Sequence, residues 1–141
     1  MDAAELERFS AGYAAAWCSR IAASVAAFYE MDGSLQINAG PPAVGRNAIE
    51  TAAQSFVTSF PDMIVSMDGV SMREDHAIFR WTLVGTNTGP HGTGRTVRIS
   101  GYEQWTFGLD GLIKESKGHF DETDYLRQLD APDAPNSAAK R

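Results

Sequence analysis

The residues best placed by type and spacing to do chemistry lie late in the chain. Residues 96–107 alternate: Val97, Ile99, Gly101, Glu103, Trp105 and Phe107 fall on one side of a strand, and Arg98, Ser100, Tyr102, Gln104 and Thr106 on the other. Glu103 therefore stands in the apolar stripe. A carboxyl there is desolvated, its pKa rises, and it becomes suited to take up and return a proton. The competing reading is an ion pair, because a three-residue hairpin would set Glu103 opposite Lys117. The stripe belongs either to a pocket or to a subunit interface. Tyr102, His119 and Tyr13 add phenol or imidazole groups of the kind that stabilise an enolate oxygen. Tyr102 cannot share a side with Glu103, since neighbours in a strand alternate, and His119 reads equally as a structural residue. His119 shares a side with Asp121 if the last strand stays regular. Asp121 also reads as the cap of a C-terminal helix, with Asp124 three residues on. Trp17, Trp81 and Trp105, with Phe56 and Phe60, either wall a pocket for a flat apolar ligand or fill a core.

Other chemistries have little to build on. His76, His91 and His119 are far apart and form no HxH or HExxH pair. The single Cys18 excludes an internal disulfide and a cysteine-rich zinc site, and reads as a packing residue. The run Gly89-Pro90-His91-Gly92-Thr93-Gly94 lies between strands and contains proline, unlike a phosphate-cradling loop ahead of a helix. No metal and no cofactor are expected. With 12 basic and 18 acidic residues the net charge is −6, so neither nucleic acid nor an anionic membrane surface is an expected partner. No run of about 18 apolar residues occurs. The opening Met1-Asp2-Ala3-Ala4-Glu5 is acidic rather than basic and apolar, so no secretory signal is read there and the expected compartment is the cytoplasm.

The 141 residues suit one domain, expected over residues 1–129, with a polar, proline-bearing and disordered tail from Asp130 to Arg141. Residues 2–30 read as helix, with Leu6, Phe9, Tyr13 and Trp17 on one face and a break near Cys18-Ser19, where Ser19 would cap a second helix. Asp32-Gly33 reads as a turn, 35–38 as a short strand and 45–59 as a third helix stopped by Pro61. Strands follow over 63–72, 77–86, 96–107 and 112–120, with a hairpin at Leu109-Asp110-Gly111. The Gly/Thr-rich segment 85–94 is either a long hairpin connection or a mobile pocket rim, with His91 exposed or closing over a ligand. Helices first and antiparallel strands after them predict an α+β fold, a curved sheet wrapped on three helices.

This order resembles the nuclear transport factor 2-like fold, and the details resemble its SnoaL-like polyketide cyclase branch. The residues that carry the resemblance are Ala16-Trp17, then Phe28-Tyr29-x-x-Asp32-Gly33, and Gly45-Arg46 opening the third helix. Phe60-Pro61-Asp62-Met63, Gly85-Thr86-x-x-Gly89, Thr93-Gly94-Arg95, Asp110-Gly111-x-Ile113, Phe120-Asp121 and Gln128-Leu129 follow, so that it spans residues 9–129. The resemblance implies a cone-shaped sheet, a homodimer through its outer face, and cofactor-independent acid–base chemistry on a small hydrophobic carbonyl compound. It implies Asp121 as general acid/base, matching an aspartate at the end of the last strand inside the cone, with His119, Tyr102 or Glu103 in support. A small-ligand-binding or interaction protein of the same fold is the alternative. Gln36-Ile37-Asn38 is similar to a strand of limonene epoxide hydrolase that positions a water, with Asn38 in place but Gln36 where that strand has tyrosine. Its Arg-x-Asp pair reads Arg80-Trp81-Thr82 here, and its second aspartate falls near Gly118. With both acids lost, Arg80 is left to bind an acidic substrate group or to pair on the surface.

Overall fold

The structure, a computed structural model, describes residues 1–130. The elements follow in the order α1 (Ala3–Ser19), α2 (Ala22–Ala26), β1 (Tyr29–Ile37), β2 (Ala43–Val44), α3 (Arg46–Ser59), β3 (Ile64–Met72), β4 (Ala77–Thr86), β5 (Thr96–Phe107), β6 (Ile113–Phe120) and α4 (Glu122–Asp130). The six strands form one sheet in the order β2-β1-β6-β5-β4-β3. All neighbours are antiparallel except β1 and β6. This is the expected α+β fold, with a curved sheet around the first three helices. Among the described residues, no helix is long and apolar enough to cross a membrane.

Local chemistry sets the helix ends. Asp2 accepts from the Glu5 N–H at 2.8 Å and its own N–H donates to the Glu5 carboxylate at 3.0 Å, a complete capping box for α1. The helix buries Leu6, Tyr13 and Trp17, the stripe expected to face the core. It ends at Arg20, which takes a left-handed conformation with φ 62°. The break falls just after Cys18-Ser19, but Ile21 rather than Ser19 is the residue that starts α2. The Ser19 hydroxyl instead accepts from the Ile21 N–H across the break, at 3.1 Å.

The sheet curves where its register shifts, between Tyr29 and Ser34 in β1, Met67 and Gly69 in β3, and Thr106 and Phe107 in β5. The Asp32-Gly33 turn is thereby corrected: these residues lie inside β1, in the first of these irregularities. On the concave side the core is aromatic. Phe79 and Trp105 stack at 4.8 Å, and Tyr13 meets both edge-on.

The 85–94 segment is the long hairpin connection, not a pocket rim. Asn87 ties it together through the Thr93 and Gly94 N–H groups, both at 2.8 Å, and donates to the Ser59 carbonyl at the end of α3 at 3.1 Å. Gly89 presses so close to α3 that a Cβ there would lie 1.9 Å from the Thr58 carbonyl oxygen. His91 is exposed on this loop. The expected tail from Asp130 loses its first residue to α4; from residue 131 it lies outside the described residues.

Candidate active site

Glu103 is only 8% exposed, deep on the concave face of β5. Everything that reaches its carboxylate is a neutral donor. Ser116 Oγ donates to Oε1 at 2.7 Å, Trp105 Nε1 at 2.9 Å and the Tyr13 hydroxyl at 3.0 Å, with the Tyr29 hydroxyl at 3.5 Å. Oε2 meets only the Tyr13 hydroxyl, at 3.2 Å. The two tyrosine hydroxyls are 2.8 Å apart, so Tyr29, Tyr13 and Glu103 form one hydrogen-bonded chain. Burial pushes the Glu103 carboxyl above its ordinary pKa, and the donors from Trp105, Ser116, Tyr13 and Tyr29 pull it part of the way back. Burial, reinforced by the nearby carboxylate, raises both tyrosines well above the usual phenol range, which keeps them as donors. One carboxylate oxygen is thus saturated while the other has room to exchange a proton.

An apolar pocket of about 60 Å³ opens beside this carboxyl. Trp17 of α1 and Phe56 of α3 form one wall. The sheet supplies the other through Leu35 and Ile37 of β1, Val65 of β3, Phe79, Trp81 and Leu83 of β4, Ile99 of β5, and Gly118 and Phe120 of β6. Glu103 is the one ionisable side chain in this lining. Gly118 sits directly opposite it across the β5–β6 ladder. A Cβ at Gly118 would stand 3.7 Å from Glu103 Cγ, so the missing side chain is what opens the pocket onto the carboxyl. Gly101 serves differently: Trp81 packs across it, and a Cβ there would lie 2.8 Å from Trp81 Cζ2 and 2.2 Å from the His119 carbonyl oxygen.

Of the residues singled out by sequence, Glu103, Trp17, Phe56 and Trp81 line this pocket. Tyr13 and Trp105 are fully buried behind it as partners of Glu103, and Phe60 is fully buried core. The Glu103–Lys117 ion pair is corrected: the bulge at Thr106/Phe107 moves the register, Lys117 faces Gln104, and it lies 3.9 Å from Glu115. The inward placement of Asp121 is corrected as well. Asp121 lies just beyond β6, is exposed, and accepts from the Asp124 N–H at 3.0 Å as the cap of α4. Tyr102 and His119 are cross-strand partners on the convex face, with ring centres 4.9 Å apart, and Arg80 is exposed beside them in register with Tyr102. None of the three reaches the pocket, because each is one residue out of phase with the concave stripe. Asn38, at φ 51°, does not line it either: its Oδ1 accepts from the Phe120 N–H at 3.0 Å, and its buried Nδ2 has no partner. Among the described residues, no group of three or more His, Cys, Asp or Glu is placed to hold a metal ion.

The model of the SnoaL-like polyketide cyclase family matches residues 7–129. The chain belongs to this family. No curated protein matches it at significant sequence similarity. Solved structures share the fold at low identity. TsrD from Streptomyces laurentii is 19% identical, with a TM-score of 0.80 over 93% of this chain and 98% of its own. A ketosteroid isomerase-like hypothetical protein from Catenulispora acidiphila, solved with trimethylamine, is 16% identical, with a TM-score of 0.77 over 88% and 93%. A phenazine biosynthesis-related protein from Pseudomonas aeruginosa is 17% identical, with a TM-score of 0.73 over 93% and 91%. The SnoaL-like family is one of small-molecule enzymes. Sequence reasoning missed Tyr29 and Ser116 as partners of that carboxyl. Ser116 was open to detection: it falls on the concave side of β6 once the β5–β6 register is known.

Proposed function

We propose that this SnoaL-like protein is a cofactor-independent enzyme that moves a proton on a small hydrophobic carbonyl compound, with Glu103 as the general acid/base. The observation that carries this reading is a desolvated carboxyl, held by neutral donors, as the one ionisable group of an apolar pocket. Glu103 Oε2 takes a proton from the carbon beside the carbonyl, leaving an enolate and a neutral glutamic acid. In an isomerisation the same proton returns to another carbon of the conjugated system. In a ring closure the enolate carbon bonds to a second carbonyl carbon of the substrate, and the resulting alkoxide takes the proton from Glu103. Either way the net step is redox-neutral. Ser116, Trp105 and Tyr13 fix the carboxyl through Oε1 and leave Oε2 for the proton. The same reading takes the protein as a homodimer through the convex sheet face, which presents Ile64, Arg80, Tyr102 and His119 to solvent.

Deuterium uptake next to the carbonyl of 2-cyclohexen-1-one in D2O, followed by NMR, tests the proposal without knowledge of the natural substrate. The expected result is protein-catalysed exchange that falls by about 10²–10⁴-fold in Glu103→Gln. Exchange that survives this substitution unchanged removes Glu103 from the chemistry. Binding of the probe with no exchange in the wild type makes the protein a carrier.

A further inference from the structure

Trp81 brings an unsatisfied polar atom to the wall of the pocket. Its indole Nε1 is buried and has no hydrogen-bond partner, whereas the Nε1 of Trp105 is satisfied by Glu103 at 2.9 Å. An indole N–H is a donor only, and buried ones are ordinarily paired. Trp81 lines the pocket, and its Cζ2 lies over Gly101, so the indole edge that carries Nε1 is turned toward β5. Gly101 is two residues before Glu103 on the same side of that strand. Phe120 of β6, opposite Gly101, packs against the Trp81 ring with centres 6.1 Å apart. Trp81, whose ring carries a bare donor, and the desolvated carboxyl of Glu103 thus line one apolar space from adjacent strands.

We propose that Trp81 Nε1 is the donor that receives the ligand's carbonyl oxygen, so that the pocket selects an apolar frame bearing one acceptor oxygen over a hydrocarbon or an organic cation. The inference rests on the reading of this pocket as the substrate site and adds the polarity of what enters it. Aromatic walls with a carboxylate also suit an ammonium group, but an N–H presents the positive end of its dipole and repels one. An acceptor oxygen satisfies the orphaned donor, and it sets the adjacent C–H within the same cavity as Glu103. A donor at that oxygen also stabilises the charge that appears on it when the proton leaves.

Three six-membered probes of matched size test this: 2-cyclohexen-1-one, cyclohexene and cyclohexylammonium, titrated into protein carrying ¹⁵N-labelled tryptophan. The expected result is a preference for the enone over cyclohexene of about tenfold, the size of one hydrogen bond. The Trp81 Nε1–H resonance, assigned from its contacts with Gly101 and Phe120, should move downfield with the enone alone. In Trp81→Phe, which keeps an aromatic wall, the preference should fall to about twofold or less while cyclohexene binding is retained. Should that variant fail to fold, the wild-type resonance decides by itself. Equal binding of enone and cyclohexene, tightest binding of cyclohexylammonium, or an unmoved Trp81 resonance overturns the assignment. If the enone binds and exchanges deuterium through Glu103 without moving that resonance, only the role of Trp81 is lost. If no probe binds, the pocket reading falls and this proposal with it.

Discussion

Replacing Glu103 separates its electrostatic burden from its hydrogen bonds, and the two have opposite signs. Three donors lie within 3.0 Å of Oε1, while Oε2 has one contact at 3.2 Å. A glutamine keeps a carbonyl oxygen for the three and exchanges only the weaker side, so at low pH Glu103→Gln should cost about 1 kcal/mol. Alanine strands the Trp105 N–H and the Ser116 hydroxyl, while Tyr13 retains Tyr29. Two buried donors at about 1–3 kcal/mol each put Glu103→Ala near 2–6 kcal/mol. The pH dependence follows from burial, which raises the folded-state pKa above the ordinary glutamate value of 4.5. A carboxyl raised in this way contributes stability that is complete below its unfolded pKa. That contribution is lost as pH climbs through the folded pKa, because above it the folded state must hold a buried charge. Glutamine has no such loss, so the deficit of Glu103→Gln should shrink as pH rises above 4.5. Urea unfolding of both proteins at several pH values measures it, and taking the difference cancels the other carboxylates. A deficit independent of pH, or one that grows as pH rises, refutes the claim that this carboxyl is desolvated.

The remaining predictions concern the elements around the site. Asp121→Ala removes the cap of α4 and should cost about 1 kcal/mol in urea unfolding, while deuterium exchange on the enone probe stays at the wild-type rate. Gly118 and Gly101 should behave as opposites. Alanine at Gly118 meets only ordinary contacts, 3.5 Å from the Gln36 carbonyl oxygen and 3.7 Å from Glu103 Cγ, so Gly118→Ala should fold normally and bind the enone more weakly, as read by titration. Alanine at Gly101 meets backbone at 2.2 Å, so Gly101→Ala should lose about 3 kcal/mol or more in the same unfolding assay.

The strands from Ala77 to Phe107 were legible because alternation over ten or more residues leaves one consistent face, and those two spans match the structure residue for residue. The start of β1 was not legible: Asp32-Gly33 carries turn chemistry, and the strand runs through it only because Tyr29 and Ser34 on either side pair with the distant β6. The outward turn of Tyr102 relative to Glu103 followed from the same alternation, whereas the placement of His119 and Asp121 depended on where β6 ends. Asp121 comes one residue too late to belong to the strand, and its capping bond to the Asp124 N–H takes it away from the cone.

The decisive point for the site is one residue of register. An ordinary three-residue hairpin would have put Lys117 across from Glu103 and made an ion pair of it. The bulge at Thr106/Phe107 puts Gly118 there instead, and Lys117 moves to the convex face beside Glu115. That shift also brings the Ser116 hydroxyl onto Oε1 and leaves the space beside the carboxyl empty. The identity of residue 103 is plain from the sequence. Its chemistry is not, because a glutamate facing lysine and one facing glycine in an apolar cavity differ only in an irregularity several residues away.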